Sequence, residues 1–114
     1  MSRRTIQVAE LLAQVISEII ISELSDPRIS GLVTITGAEV SPDLRIAKVY
    51  FSVLGSESDW ESTTIALNKA SGFIQRIVAQ RIVLKVMPRI KFIPDHTAER
   101  AQRIESILEK IEPE

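Results

Sequence analysis

The stretch Asn68-Lys69-Ala70-Ser71-Gly72-Phe73-Ile74 breaks a helical pattern in the second half of the chain. Apolar residues recur at helical spacing on both sides of the break, and polar residues take the opposite side. A glycine within a helix costs roughly 1 kcal/mol relative to alanine, so Gly72 predicts a kink, a close contact or the end of a helix. We therefore predict two consecutive helices joined by an interhelical kink at Ala70, Ser71 and Gly72.

Two explanations of the glycine remain open. Gly72 permits either close packing of the two helices in a tight turn or the close approach of a nucleic-acid backbone. Ser71 is expected to cap the helix that follows the kink rather than to contact a ligand.

The residues before the kink follow first a helical and then a strand pattern. Residues 5 to 24 are amphipathic with a helical period, and this helix should end before Ser25-Asp26-Pro27 because proline disfavours a helical residue before it. Two strands follow, Leu32 to Val40 and Arg45 to Leu54, and the proline turn Ser41-Pro42-Asp43 separates them. A short hairpin connection is predicted between the two strands.

The second of these strands alternates in polarity. Lys48 and Tyr50 should point away from the face that holds Val49 and Phe51. The position of Tyr50 suits a residue of the sheet surface and a base-stacking residue equally well.

Three further elements complete the pattern. Ser58 or Asp59 can cap a helix that begins near Trp60. Arg89 to Ile93 alternates and predicts a third strand, and Thr97 is expected to cap a last helix. The order helix, strand, strand, helix, kink, helix, strand, helix predicts one α+β domain over residues 1–114.

The composition excludes several classes of protein. A chain of 114 residues with 45% hydrophobic and 25% charged residues matches an average soluble domain with one core. No stretch of the sequence approaches the roughly 20 apolar residues of a membrane span. No cysteine is present, so there is no disulfide framework. We therefore expect a cytoplasmic protein without a membrane partner.

Catalytic and metal sites are hard to assemble from this sequence. The single histidine, His96, has no cysteine to activate, and it is expected to be solvated or to cap a helix. One histidine without cysteine is too few ligands for a typical zinc site, and the four glycines are too dispersed for a phosphate-cradling loop. We expect no enzyme activity, no cofactor and no small-molecule substrate.

The charges are segregated along the chain. The 14 Lys and Arg residues nearly balance the 15 Asp and Glu residues, yet no acidic residue occurs between Glu61 and Asp95. A concentrated basic patch attracts phosphates at short range even when the net charge is near zero. We predict that the basic residues of this segment form one composite surface that follows phosphates without reading bases. These residues are Lys69, Arg76, Arg81, Lys85, Arg89 and Lys91.

The order of elements resembles that of a type II KH domain. KH domains usually bind single-stranded nucleic acid through a GxxG loop between two helices. This chain has no GxxG there, and its Ala70-Ser71-Gly72 is similar to the Ala-x-Gly kink of the ribosome-binding factor A family. The resemblance runs from about Arg4 to Leu108. It includes Val8-Ala9, Leu24-Ser25-Asp26-Pro27-Arg28, Val33-Thr34-Ile35-Thr36, Val40-Ser41-Pro42-Asp43-Leu44, Ala47-Lys48-Val49-Tyr50, and Pro88-Arg89-Ile90-Lys91-Phe92 with Asp95 after it.

The resemblance implies a fold in which the helices pack over one face of a small, three-stranded mixed sheet. It also implies a role: a monomeric, non-catalytic factor that binds free small (30S) ribosomal subunits in the cytoplasm. Such a factor assists the late maturation and processing of 16S ribosomal RNA near its 5′-terminal helix, above all in the cold.

Two other functions suit the same elements. The scaffold could be a protein-interaction module that makes no contact with RNA, although the acid-free segment argues against it. It could also be a KH-like RNA binder unrelated to ribosomes. The five aromatic residues do not favour an aromatic base-stacking platform.

Overall fold

A computed structural model describes residues 2–24, 29 and 32–111 of the chain. The first helix ends at Glu23 with Leu24 as its C-cap, before Ser25 as predicted, and the rest of the segment, Ser25-Asp26-Pro27-Arg28, lies outside the described residues. The elements follow in the predicted order, and the α+β fold class is confirmed. They are α1 (Arg3–Glu23), β1 (Leu32–Val40), β2 (Ile46–Leu54), α2 (Glu57–Lys69), α3 (Ser71–Arg81), β3 (Arg89–Pro94) and α4 (Thr97–Ile111).

The three strands form a mixed sheet in the order β1-β2-β3. β1 and β2 are antiparallel, whereas β3 runs parallel to β2 after the crossover through α2 and α3. The turn Ser41-Pro42-Asp43 lies in the hairpin as predicted, and the next residue, Leu44, adopts a positive φ of 62°. The pairing of β1 with β2 shifts between Ile35 and Gly37. Thr36 is thus the extra residue of a β-bulge.

All three strands share one buried face. In β2 the side chains of Ala47, Val49, Phe51 and Val53 are buried and alternate with more exposed residues. The predicted alternation of this strand is therefore correct. The buried face packs against α1, α2 and α3 through one continuous hydrophobic core. The other face of the sheet carries no helix of this core, and we call it the open sheet face.

Helix α1 supplies much of that core. It begins at Arg3, two residues earlier than predicted, because the Ser2 side chain accepts a hydrogen bond from the Thr5 N–H and caps it. By length and composition this helix of 21 residues could cross a membrane, contrary to the expectation from the sequence. Its apolar residues instead form part of the hydrophobic core, since Leu12, Ile16 and Ile19 are completely buried against the rest of the domain.

The start of α2 differs from the prediction. Neither Ser58 nor Asp59 is the cap, and the helix begins before Trp60. Ser56 is the N-cap: its hydroxyl accepts from the Asp59 N–H, and the Asp59 carboxylate accepts from the Ser56 N–H at 2.8 Å. This reciprocal capping box satisfies two backbone donors at once, so the helix starts at Glu57.

The start of α4 depends on Asp95. One carboxylate oxygen accepts hydrogen bonds from the N–H and the hydroxyl of Thr97, and the other accepts from the Thr36 hydroxyl at 2.8 Å. The Asp95 N–H in turn donates to the Phe51 carbonyl at 2.7 Å. The expectation that Thr97 caps this helix is therefore wrong: Asp95 supplies the acceptor, and Thr97 is the first helical residue.

Candidate nucleic-acid interface

The junction of α2 and α3 lies against the edge strand β3. The Asn68 side-chain amide donates to the Phe92 carbonyl at 3.2 Å, and its oxygen accepts from the Phe92 N–H at 3.0 Å. These bonds bring the end of α2 next to the middle of β3. The junction and the edge of the sheet are consequently one continuous region of the surface.

The helical path is interrupted only briefly. Ala70 separates the two helices with an αR backbone (φ −84°, ψ −3°), and its N–H donates to Ala66 while its carbonyl accepts from Ile74. The Ser71 hydroxyl donates to the Asn68 carbonyl at 2.8 Å. Ser71 thus satisfies the end of α2 and does not cap α3, whose N-cap Ala70 makes no side-chain hydrogen bond. The expectation that Ser71 caps the helix after the kink is therefore wrong.

Close helix packing does not explain Gly72. It is exposed, lies within α3, and a Cβ added to it would have no neighbouring heavy atom within 4 Å. The packing interpretation of this glycine is therefore wrong. A bare backbone at an exposed position leaves room for the other interpretation, in which a molecule outside the chain approaches it.

All six predicted basic residues are exposed, but they do not form one surface. Lys69 ends α2 and Arg76 lies in α3, on the helical side of the domain. Lys85 lies in the connection between α3 and β3. Arg89 and Lys91 alternate with the buried Ile90 and Phe92, so they project from the open sheet face. The expectation of one composite surface is wrong because strand alternation turns these two residues away from the helices.

Arg81 differs from the other five in its electrostatic partners. Its guanidinium lies 3.2 Å from the Glu23 carboxylate and 4.0 Å from that of Glu18, both in α1. Two carboxylates this close offset its charge and tie the end of α3 to the end of α1. Within the described part of the chain, Lys69 and Arg76 form no such ion pair. On the helical side these two are the stronger candidates for contact with phosphates.

Lys48 belongs with Arg89 and Lys91, although the sequence analysis did not place it in the site. It is exposed on the open sheet face and lies directly opposite Lys91 in the parallel pairing of β2 with β3. The signal that could have found it was the alternation of β2, which already predicted that Lys48 points away from the core.

Tyr50 lies on the same face, two residues from Lys48 along β2. Partial burial raises the pKa of its hydroxyl, and the charge and hydrogen bond of Glu39 raise that pKa further. The side chain itself is half-buried on the sheet. This arrangement fits a residue of the sheet surface better than an uncommitted base-stacking platform.

The histidine has a structural partner. The ring of His96 stacks on Trp60 with centroids 4.1 Å apart, at the base of α4. It is half-buried there and directly precedes α4, where its carbonyl accepts from the Arg100 N–H at 3.0 Å; of the two expected roles, the one at the helix start fits better than the solvated one. Among the described residues there is no cluster of three or more His, Cys, Asp or Glu side chains that could hold a metal ion.

Comparisons with known proteins agree with the fold described above. A sequence model of the family described as "Ribosome-binding factor A" matches residues 4–108. The chain belongs to the ribosome-binding factor A family. Ribosome-binding factor A of Nitrosococcus oceani is 42% identical over 107 residues, which cover 94% of this chain and 84% of that protein. Its counterpart in Citrifermentans bemidjiense is 41% identical over 111 residues, covering 97% of this chain and 92% of that one.

Solved structures of the family share the fold. The crystal structure of ribosome-binding factor A from Thermus thermophilus superposes with a TM-score of 0.69 at 27% identity, covering 79% of this chain and 94% of that chain. The solution structure of a Thermotoga maritima protein described as a putative ribosome binding factor A gives a TM-score of 0.69 at 32% identity, with coverages of 82% and 88%. The type II KH-like fold expected from the resemblance is confirmed.

One further neighbour is described within an assembly. It is a homology model of the Thermus thermophilus factor, fitted into an electron-microscopy map of its complex with the 30S subunit. This chain superposes on it with a TM-score of 0.68 at 26% identity, and the match covers 82% of this chain and 97% of that one.

Proposed function

We propose that this chain is a non-catalytic ribosome assembly factor that binds the free small ribosomal subunit. The observation that carries the proposal is membership of the family over residues 4–108, together with the superposition on a relative fitted into a 30S complex. In this proposal the factor acts in the cytoplasm as a monomer. It assists the late maturation and processing of 16S rRNA near the 5′-terminal helix.

The helical side of the kink is the first proposed contact with rRNA. Lys69 and Arg76 supply positive charge that is not offset by described carboxylates, and Gly72 between them exposes bare backbone. Contacts of this kind position a protein on a phosphate backbone without reading bases. The shape of the folded rRNA would then provide the specificity.

Binding alone can assist maturation. A factor that binds one RNA conformation more tightly than another shifts the population toward the first, by no more than its differential affinity for the two. No cofactor is needed for this role. The effect should matter most where misfolded RNA escapes slowly, as it does in the cold.

Co-sedimentation with ribosomal particles tests the proposal most directly. Lysate is separated on a sucrose gradient, and the protein should migrate with free small subunits. Depletion of the protein should also raise the ratio of precursor to mature 16S rRNA, more at low than at normal growth temperature. Unchanged processing at both temperatures, with the protein sedimenting away from small subunits, would refute the assignment.

A filter-binding measurement separates this function from that of a protein-interaction module. Affinity for 16S rRNA should fall steeply between a low and a high salt concentration, because released counterions drive such binding. A protein-interaction module on the same scaffold would retain no rRNA at either concentration.

A further inference from the structure

The open sheet face carries a basic cluster of its own. Lys48, Arg89 and Lys91, which we call the sheet cluster, all occupy outward positions of β2 and β3, and all three are exposed. Lys48 and Lys91 are directly opposite each other on strands that lie about 4.8 Å apart. Arg89 is two residues from Lys91 on the same strand and therefore on the same face.

Internal contacts do not account for this cluster. Like charges that face each other across two strands repel and destabilise the pairing. On its other side Lys48 is paired in register with Glu39, whereas Arg89 and Lys91 form no ion pair with any described residue. The net charge of these four positions is positive, and an anion from outside the chain would relieve the repulsion.

Protection of a sheet edge explains only part of the pattern. Charged residues on an edge strand prevent pairing with other chains, and β3 is an edge strand with both Arg89 and Lys91. Lys48, however, lies on the central strand β2, where there is no edge to protect. Its place opposite Lys91 is therefore better explained by a shared ligand than by defence against aggregation.

The sheet cluster and the kink lie on different sides of one thin scaffold. A hydrogen bond joins Asn68, at the end of α2, to Phe92 in β3. The residues next to them point to opposite sides of the domain: Lys69 lies on the helical side, while Lys91 projects from the open sheet face. One RNA segment cannot follow both surfaces without passing around the edge of β3. Two segments can occupy them at the same time.

From this geometry we infer that the open sheet face is a second phosphate-binding surface, so that one molecule of the protein contacts two RNA segments. The inference rests on the proposed binding to rRNA and extends it. The partner on this face is again the phosphate backbone, because Lys48, Arg89 and Lys91 supply positive charge and Tyr50, the aromatic residue beside them, is half-buried. A bridge of this kind holds two parts of an RNA in a fixed relation.

The test compares three double variants of the full chain by their salt dependence in binding a short RNA duplex. The sheet variant is Lys48→Gln with Lys91→Gln, the helical variant is Lys69→Gln with Arg76→Gln, and the control is Arg3→Gln with Arg4→Gln in α1. Each phosphate contact contributes about 0.7 to 0.9 to the slope of log affinity against log salt. The sheet and helical variants should each lose about 1.4 to 1.8 from the slope for the duplex that binds at the altered surface, and the control should lose none from either slope.

Bridging is measured with two pools of the duplex, one labelled with a donor fluorophore and one with an acceptor. The wild type should give energy transfer that rises and then falls with protein concentration, as excess protein occupies each duplex separately. Analytical ultracentrifugation should find one protein with two duplexes. Both the sheet and the helical variant should bind one duplex and give no energy transfer.

Each outcome decides the inference. A wild-type slope in the sheet variant, or a complex of one protein with one duplex, would overturn it. The inference is supported if the sheet variant loses salt slope, energy transfer and the two-duplex complex. If Lys48→Gln with Lys91→Gln fails to fold, Arg89→Gln with Lys91→Gln replaces it. Co-sedimentation of the wild type with small subunits tells the two proposals apart, since a failure there contradicts the proposed function, whereas the second surface is refuted by the slope of the sheet variant or by the one-duplex complex.

Discussion

The side-chain amide of Asn68 pairs with both backbone groups of Phe92, accepting from the N–H at 3.0 Å and donating to the carbonyl at 3.2 Å. β3 is an edge strand, and these two groups would otherwise offer a pairing site to another chain. Asn68 thus takes the place of a neighbouring strand at this point. The same contact holds the interhelical kink against the sheet.

Replacement of Asn68 by leucine should destabilise the domain. The variant loses two hydrogen bonds to a partly buried strand, and we expect a decrease of about 1 to 3 kcal/mol in the free energy of unfolding. Urea denaturation followed by circular dichroism measures it. Gln80→Leu, at an exposed position of α3, is the matched control and should change stability by less than about 0.5 kcal/mol. Equal midpoints for Asn68→Leu and wild type would contradict the role of this contact.

The sequence predicted the elements well wherever the pattern was local. β1 has the predicted bounds, and β2 and β3 differ from the prediction by one residue each. Alternating polarity over β2 correctly predicted which side chains enter the core, because each strand residue has only two possible faces. The fold class followed from the order of the elements.

Helix starts were harder, because several residues compete for the cap. Ser56, Ser58 and Asp59 are all good N-cap residues within four positions. The sequence alone favours Asp59 as a possible cap, whereas in the fold Asp59 is the partner that makes Ser56 the cap. Only the three-dimensional arrangement of the capping box distinguishes the two roles.

The candidate site depended on contacts far apart in the sequence. In the sequence, Arg81 and Arg76 are equivalent basic residues of one acid-free segment. In the fold, α1 places the carboxylate of Glu23 beside Arg81. The six basic residues are close along the chain, but their distribution over two faces depends on how β3 returns to the sheet. A linear charge pattern contains no information about these faces.

Gly72→Ala should stabilise the domain, contrary to what a tightly packed glycine would give. The added Cβ meets no heavy atom within 4 Å, and alanine is favoured over glycine in a helix by about 0.5 to 1 kcal/mol. We expect a melting temperature about 2 to 6 °C above that of wild type, measured by calorimetry. A lower melting temperature would show that the glycine has a role within the folded chain. Weaker rRNA binding by the more stable variant would place the role of Gly72 in the interface.

Gly55→Ala should damage the capping box of α2. A Cβ at Gly55 would lie 2.5 Å from a carboxylate oxygen of Asp59, the residue that completes the box. We expect a loss of about 1 kcal/mol, similar to that of Ser56→Ala, since both changes disrupt the same cap. In an Asp59→Ala background the clash with the carboxylate disappears and only the contact with the Cβ of residue 59, at 2.9 Å, remains, so Gly55→Ala should cost less there. Additive losses in this double-mutant cycle would contradict the coupling.

Asp95 should make stability depend on acid pH. Hydrogen bonds from the Thr97 hydroxyl and N–H, and then from Thr36, lower the pKa of its carboxyl from the usual value. A carboxyl whose pKa is lower in the folded state stabilises that state above its unfolded pKa of about 3.9, and this contribution is lost as the pH falls through the folded pKa. Asp95→Asn should therefore be less stable than wild type at neutral pH and should lose less stability on acidification.

The measurement for Asp95 is urea denaturation at several pH values from neutral to strongly acid. Thr36→Val provides the intermediate case, because it removes one of the donors and keeps the carboxyl. Its acid transition should lie at a higher pH than that of wild type. Parallel stability curves for wild type and Asp95→Asn would exclude Asp95 as a source of the pH dependence.

Arg76 and Arg81 provide a matched pair within α3 for mapping the RNA contact on the helical side. Both are exposed arginines, but Arg81 is committed to Glu23 and Glu18, whereas Arg76 forms no ion pair with a described residue. Arg76→Gln should lower the salt slope of rRNA binding by about 0.7 to 0.9. Arg81→Gln should leave that slope unchanged and lower stability slightly, as expected for a surface ion pair. Filter binding over a series of salt concentrations measures both slopes, with denaturation confirming that each variant is folded. A lower slope for Arg81→Gln together with a wild-type slope for Arg76→Gln would reverse the assignment and place the RNA nearer the end of α3.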